Sequence, residues 1–406
     1  MWHVLIVLVC LVVADGRLSL AHGSGNRSPA PQSASNEAMR LVVSDATAPT
    51  VRVIDLSSGR VLESFNLKGP ARLHSGASGR YVYAAQPDAG QVAIIDTGIA
   101  TESHGDHDDI KITPPRLLRT RLDGPRPSHV NHDNTRIAIF FDGDGSAHVI
   151  PEKDLVSGKL ESRRRIETGA KHHGVAQPVG RLVAVTVPPD GEGLPNAIEL
   201  RGPDGSALQR MNCSRLHGEG KTGVFLAFGC ADGVVVYQIG RDGVTARSVS
   251  YPASLPTGRM IRNMSGAAGF RFLVGDFGAD GMVILDPSAA DGDFRFTSLP
   301  SRRMHFHLHP EPGDQLFVIL EDGKLFRINP ITGQVTGQAQ VTNRYSMEQG
   351  VVRPRVASVG RHVAVSSPAT GEVIVLDADS LAERRRIQLG GAPFDMLAVG
   401  GTGASH

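Results

Sequence analysis

Short apolar runs rich in Val, Ile and Ala recur along the chain, each pair separated by a polar turn. In GRYVYAAQPDAGQVAIIDTG (79–98) the first run breaks at a Pro-Asp-Ala-Gly turn and the second ends on an aspartate. GRHVAVSSPATGEVIVLDADSLAERRRIQL (360–389) has the same order, and looser copies cover 39–67, 135–155, 180–200, 223–239, 270–286 and 314–337. Each copy reads as an approach segment, a turn, an "RxVAV"-like strand, a polar turn, a "GxVxVID"-like strand and a final strand. Period-2 alternation and β-branched enrichment predict strands. No segment holds a 3.6-residue apolar period, so helix should be scarce. About eight units of roughly 45 residues correspond to four-stranded propeller blades.

The two ends of the pattern fit one another. The first copy begins at its second strand, and the chain ends on an unpaired approach segment, GAPFDMLAVGG (391–401). If that segment supplies the inner strand of the first blade, the ring closes and no sheet edge is left open there. The expectation is an all-β fold, a single β-propeller over 38–401 with eight blades favoured over seven, closed by the C-terminal segment completing the first blade.

Composition changes the picture at the N-terminus and at the cysteines. Lys+Arg number 42 against 41 Asp+Glu, a balance that argues against a nucleic-acid partner. Val4 to Ala14 is an unbroken apolar run of signal-peptide length, too short to span a bilayer, and Ser19-Leu20-Ala21 offers small residues for cleavage. Met1-Trp2-His3 departs from the usual pattern in lacking Lys or Arg. Residues 1–21 therefore read as a signal peptide, 22–37 as a flexible mature terminus and 402–406 as a short tail. The protein is expected in the periplasm or outside the cell, with no stable membrane insertion after cleavage. Cys10 would leave with the signal. Cys213 and Cys230 remain, a disulfide candidate in an exported chain, with a Cys/His metal site as the weaker alternative.

The candidate chemistry lies in the histidines. His129, His172, His173, His217, His305, His307 and His309 all fall in approach segments, the inner strands or their starts. Inner strands converge on the axis, and alternation puts His305, His307 and His309 on one face. Imidazoles meeting at the axis suit Zn2+, which takes three or four N, S or O ligands at about 2.0–2.3 Å. A channel of hydrogen-bonded neutral histidines without metal, or a pocket for an anionic small molecule, stays open as an alternative. His74, His148 and His362 stand singly and read as surface or packing residues, and His132 as a turn residue.

A second cluster, ESHGDHDDIK (102–111), occupies the one unit lengthened by roughly ten residues. Gly105 lets His104 and His107 face one point, with Asp106 as a third ligand or a hydrogen-bond acceptor behind a histidine. Blade topology starts this loop on the face opposite the approach segments, which favours two sites over one. Nucleophile-elbow, P-loop, dinucleotide and HExxH signatures are lacking. Glu219 beside His217 reads either as a base next to metal-bound water or as a carboxylate hydrogen-bonded to the histidine.

The repeat resembles that of YVTN-type bacterial surface and periplasmic propellers. HGDH (104–107), KHHGVA (171–176), CSRLHGEG with FGCADGVVVY (213–237) and HFHLHPE with VILEDGKL (305–325) together resemble AztD-type zinc metallochaperones, over nearly all of the chain after the signal. That resemblance implies an exported, monomeric, non-enzymatic carrier of one or two Zn2+ ions. It would hand zinc to the solute-binding protein of a zinc ABC importer. Residue by residue it favours His104, Asp106 and His107 in the loop, and His129, His173, His217 and His307 in the channel, with His172 and His309 as further candidates. Where the family often has another loop histidine, this chain has Asp108 and Asp109. The alternatives are a metal-dependent propeller hydrolase of the lactonase kind and a metal-free surface binding module.

Overall fold

The computed structural model describes residues 36–104, 108–267, 269–310 and 315–403. The expected signal peptide, most of the mature terminus and the last three residues lie outside the described residues. Eight four-stranded antiparallel sheets follow one another, each built outwards from an inner strand. One short helix, Glu152–Ser157, and one 3-10 turn, Leu160–Ser162, are the helical elements among the described residues. The eight-bladed, all-β expectation holds.

Closure works as the sequence suggested. The first blade takes its three outer strands from Asn36–Asp45, Thr50–Asp55 and Val61–Asn66, and its inner strand from Pro393–Gly403. The pairing runs from Asn36↔Gly403 to Val43↔Met396, with a bulge before Asp45↔Pro393. It is two residues longer at each end than the expected 38–401 boundaries. Asp45 pins the seam: Oδ1 accepts from the Thr47 and Ala48 N–H groups and Oδ2 from that of Ala392. Gly391 is at φ +61°, and a Cβ there would lie 2.0 Å from Asp45 Oδ2, so only glycine fits.

The repeated aspartate closing "GxVxVID" has a local cause. Asp55, Asp286 and Asp377 each fold back to accept a backbone N–H two or three residues on, from Ser58, Ser288 and Ser380 respectively, at 2.7–2.9 Å. This is the Asx-type turn that starts the outer strand. Between blades the sheets bury Val, Ile, Leu and Phe side chains in successive clusters, for example Phe141 and Ile139 of the third blade against Tyr83 and Ile94 of the second. Glu152, buried at the start of the helix, ties the same two blades. Its carboxylate accepts from the N–H groups of Ala77 (3.0 Å) and Ser78 (2.8 Å) and from the Tyr83 hydroxyl (3.0 Å).

Cys213 and Cys230 form a disulfide with Cα atoms 5.0 Å apart and a sequence separation of 17. It joins the end of the fourth blade to the middle of the fifth, within the cluster that holds Phe228 and Tyr237. His148 and His362 are buried, as packing residues should be. The His148 ring lies 4.6 Å from that of Phe141, and among the described residues neither of its nitrogens has a hydrogen-bond partner.

Two predictions concern stability. Glu152→Ala leaves three donors without their acceptor and is expected to cost about 3 kcal/mol in denaturant unfolding; a loss within error would show that water replaces the carboxylate. Burial, aided by Arg163 and Arg165, pushes His148 down to about 4. The unfolded chain then binds more protons than the folded one between that value and about pH 6.5, so stability present above pH 6.5 falls as pH drops towards 4. His148→Leu should flatten this acid slope by up to about 3 kcal/mol, and an unchanged slope in pH-dependent unfolding would contradict it.

Candidate metal centre

Three consecutive blades bring three imidazoles to the axis. His129 lies on the inner strand Pro127–His132 of the third blade. His173 and His217 stand just before the inner strands Ala176–Val179 and Glu219–Thr222 of the fourth and fifth. The Nε2 atoms of His129 and His173 are 3.4 Å apart, with ring centroids at 5.0 Å, and the His173 and His217 rings are 5.8 Å apart.

The other nitrogen of each ring is held. Asp142 accepts from His173 Nδ1 at 2.7 Å, and the Arg262 carbonyl accepts from His217 Nδ1 at 2.6 Å. A carbonyl can only accept, so in neutral His217 the lone pair sits on Nε2; the Asp142 carboxylate fixes the same tautomer in His173. His129 Nδ1 lies 3.3 Å from Glu219 Oε1, which also accepts from Asn131 Nδ2 at 3.2 Å. The chain passes Arg262 closely because Gly218, at φ +87°, has no Cβ: one there would meet the Arg262 carbonyl oxygen at 2.6 Å.

The charges follow from these contacts. Burial opposes a charge on His129, but Glu219 outweighs it and raises the ring above its ordinary value. Burial likewise opposes the Glu219 carboxylate, yet His129 and then Asn131 bring it down to about 2. Burial also acts against Asp142, where His173 and then Ser128 hold the carboxyl below the usual range. Burial lowers His217.

Two nitrogens bound to one tetrahedral Zn2+ at about 2.0–2.1 Å stand roughly 3.3 Å apart, and the His129–His173 pair already has that spacing. The His217 ring stands somewhat further off, with its centroid 5.8 Å from that of His173. Among the described residues, no three His, Cys, Asp or Glu side chains already surround one point as a finished coordination sphere.

The cluster sits between two cavities on the axis. One, of about 730 Å3, opens beside His129, His173, His217, Arg72 and Asp395; the other, of about 600 Å3, is lined by Ser75, His132, Glu219 and Lys221. His74, read from sequence as a single packing residue, is on the inner strand Arg72–Ser75 and lines the first cavity. Burial and then the nearby His129 push its ring down to about 4. The available signal was that His74 stands in an approach segment, RLHSG, as His129 does in its own; by register Arg72, opposite Ala85, takes the place of His129, opposite Phe140.

The remaining channel histidines face elsewhere. His172 is buried with Nδ1 on the Ala170 carbonyl (2.9 Å) and Nε2 on the Thr186 hydroxyl (3.0 Å), its ring edge-on to Phe140. His305, His307 and His309 do share one face, but it is turned to the inner strand of the eighth blade, Val356–Val359. His305 Nδ1 accepts from the Val356 N–H at 3.2 Å and His309 Nδ1 is 2.7 Å from the Ser358 hydroxyl, while His307 Nε2 is buried without a hydrogen-bond partner among the described residues.

His104 is at the tip of a separate hairpin, Ile99–Ser103 with Asp108–Ile112, inserted between the third and fourth strands of the second blade. Its Nε2 is 3.1 Å from Asp109 Oδ2. Gly105, Asp106 and His107 lie outside the described residues. Ile99 and Ile110 anchor the hairpin on Ala38, and its second strand packs against Gly403. The closing strand begins beside the larger cavity, at Phe394 and Asp395, and ends at this hairpin, eleven residues and roughly 30 Å later. The hairpin and the axial cluster are thus at opposite ends of that strand.

No family model matches the chain. It is 34% identical over 374 residues to the zinc chaperone AztD of Citrobacter koseri, covering 91% of this chain and 88% of that one. The crystal structure of Citrobacter koseri AztD superposes with a TM-score of 0.86 at 34% identity, over 91% of this chain and all of the other. The chain belongs to the AztD family of zinc chaperones. The apo form of Citrobacter koseri AztD superposes almost as well, with a TM-score of 0.85 at 32% identity over the same shares. Outside the AztD family, the dihydro-heme d1 dehydrogenase NirN matches at a TM-score of 0.57 with 13% identity, over 88% of this chain and 74% of that one, a likeness of fold alone.

Proposed function

We propose that the protein is an exported, monomeric, non-enzymatic zinc carrier that binds Zn2+ at the axial cluster and passes it to the solute-binding protein of a zinc ABC importer. The observation that carries this reading is the convergence of His129, His173 and His217, two of them oriented by acceptors on Nδ1 so that Nε2 faces the axis. Acceptors of that kind fix ligand orientation in zinc sites. Membership of the AztD family supports zinc over other transition metals. Glu219 supplies a carboxylate at the same point, as a fourth ligand or as the acceptor behind His129.

Zinc held mainly by neutral imidazoles can leave when a partner offers ligands one at a time, which suits a carrier. The hairpin residues His104, Asp106 and His107 form the second, outer site in this reading. His172, His305, His307 and His309 are assigned to packing and to the seam between the seventh and eighth blades.

The test is zinc stoichiometry and competitive affinity of the tag-free mature protein. His173→Ala/His217→Ala should abolish tight axial binding, whereas His307→Ala should leave it unchanged. His104→Ala/His107→Ala should remove only a second, separable ion. Asp142→Asn should weaken the axial site by about 10- to 100-fold, as loss of such an acceptor commonly does. Equal zinc binding in all variants would overturn the assignment. Failure of the loaded protein to metallate the importer's solute-binding protein faster than free zinc release would overturn the transfer step.

A further inference from the structure

The larger axial cavity holds a feature that zinc binding does not use. Arg72, from the inner strand of the second blade, and Arg355, just before that of the eighth, both lie against the ring of Phe394, with guanidinium carbons 5.6 and 4.9 Å from its centroid. Among the described residues neither guanidinium has a hydrogen-bonded acceptor, although both line the cavity. Arg355 is half-buried, where arginine ordinarily finds a carboxylate, a carbonyl or a phosphate because its five donors are costly to leave unmet, while Arg72 is exposed beside it.

The acidic residues of the same cavity are engaged elsewhere. Asp45 accepts from Thr47, Ala48 and Ala392, and Asp142 from Ser128 and His173. Asp88 stands with Arg126, at 3.5 Å. Asp395, whose Oδ2 accepts from the Leu73 N–H at 2.9 Å, is the carboxylate that acts on Arg355. The nearby rings of His74 and His305 are held below their ordinary values by burial and add no charge at neutral pH. At Arg355 the like charges of Arg72 and Arg353 oppose the single attraction of Asp395, so the immediate surroundings of the guanidinium pair are cationic. Pro70, Ala71 and Phe394 form an apolar wall beside them.

We propose that Arg72 and Arg355 form a binding site for a small monocarboxylate, its carboxylate on the two guanidinium forks and its carbon stem along the Phe394 wall. Asp395 beside the pair, with Asp45, Asp88 and Asp142 in the same lining, disfavours a dianion such as phosphate and leaves room for a single negative charge. The site lies in the cavity that His129, His173 and His217 also line, so a bound carboxylate stands in the approach to the axial cluster. Carboxylate binding itself does not depend on the zinc reading.

The experiment is calorimetric titration of the zinc-free mature protein with sodium butyrate, with inorganic phosphate as a second arm. One saturable butyrate site per chain is expected, weakened about tenfold or more in Arg72→Gln and Arg355→Gln, since a hydrogen bond to a charged group contributes about 1.5–3 kcal/mol. His217→Ala, which disables the proposed zinc site, should bind butyrate as the wild type does, so a failure of either reading is seen separately. Arg72 is exposed to the cavity, and its replacement should leave the unfolding midpoint unchanged; it decides the matter if the Arg355 variant does not fold. Absence of saturable butyrate binding, equal binding in the arginine variants, or binding of phosphate in preference to butyrate would each overturn the proposal.

Discussion

Everything at the axis depends on the pairing of the first described strand with the last. A propeller holds its inner strands in position only as a closed ring, because each blade is packed between two neighbours and an opening removes one neighbour from two blades. Here a single antiparallel pairing, Asn36–Asp45 with Pro393–Gly403, carries the closure, fixed at one end by the Asp45 carboxylate and the bare Gly391 backbone. The same closing strand brings Phe394 and Asp395 to the larger cavity and gives the inserted hairpin its seat at the other end.

Closure makes the ring precise enough for side chains from three blades to meet. Ligands on separate sheets reach a common point only if each sheet is rigid and each ring is held from behind. Asp142 and the Arg262 carbonyl provide that hold for His173 and His217. His129 instead sits between Glu219 and His173, so the cluster combines two rings oriented through Nδ1 with one ring that a carboxylate favours in its charged form.

Histidine has two other uses in the same molecule. His148 and His362 serve as packing groups, and His305 and His309 fasten the seventh blade to the eighth through Val356 and Ser358. Abundance of histidine is therefore a poor guide to ligation here. What separates the axial three is the convergence of their rings, together with the acceptors that orient two of them.

The repeat, the blade number, the closure and the single inserted hairpin were legible in the sequence, because they arise from local alternation, turn chemistry and an unpaired first-strand pattern at the C-terminus. The Asx turns behind "GxVxVID" and the pairing of Cys213 with Cys230 belong to the same local order of information. Strand position also put His129, His173 and His217 near the axis. It did not distinguish them from His172, whose ring turns into the sheet towards Thr186, or from the His305–His309 face, which the next blade covers. It also passed over His74 and the pair Arg72 and Arg355, which stand in approach segments far apart in sequence and meet only because the ring closes through the first blade. Side-chain direction at the axis is set by what the adjacent blade presents, and that neighbour is fixed only when the ring closes.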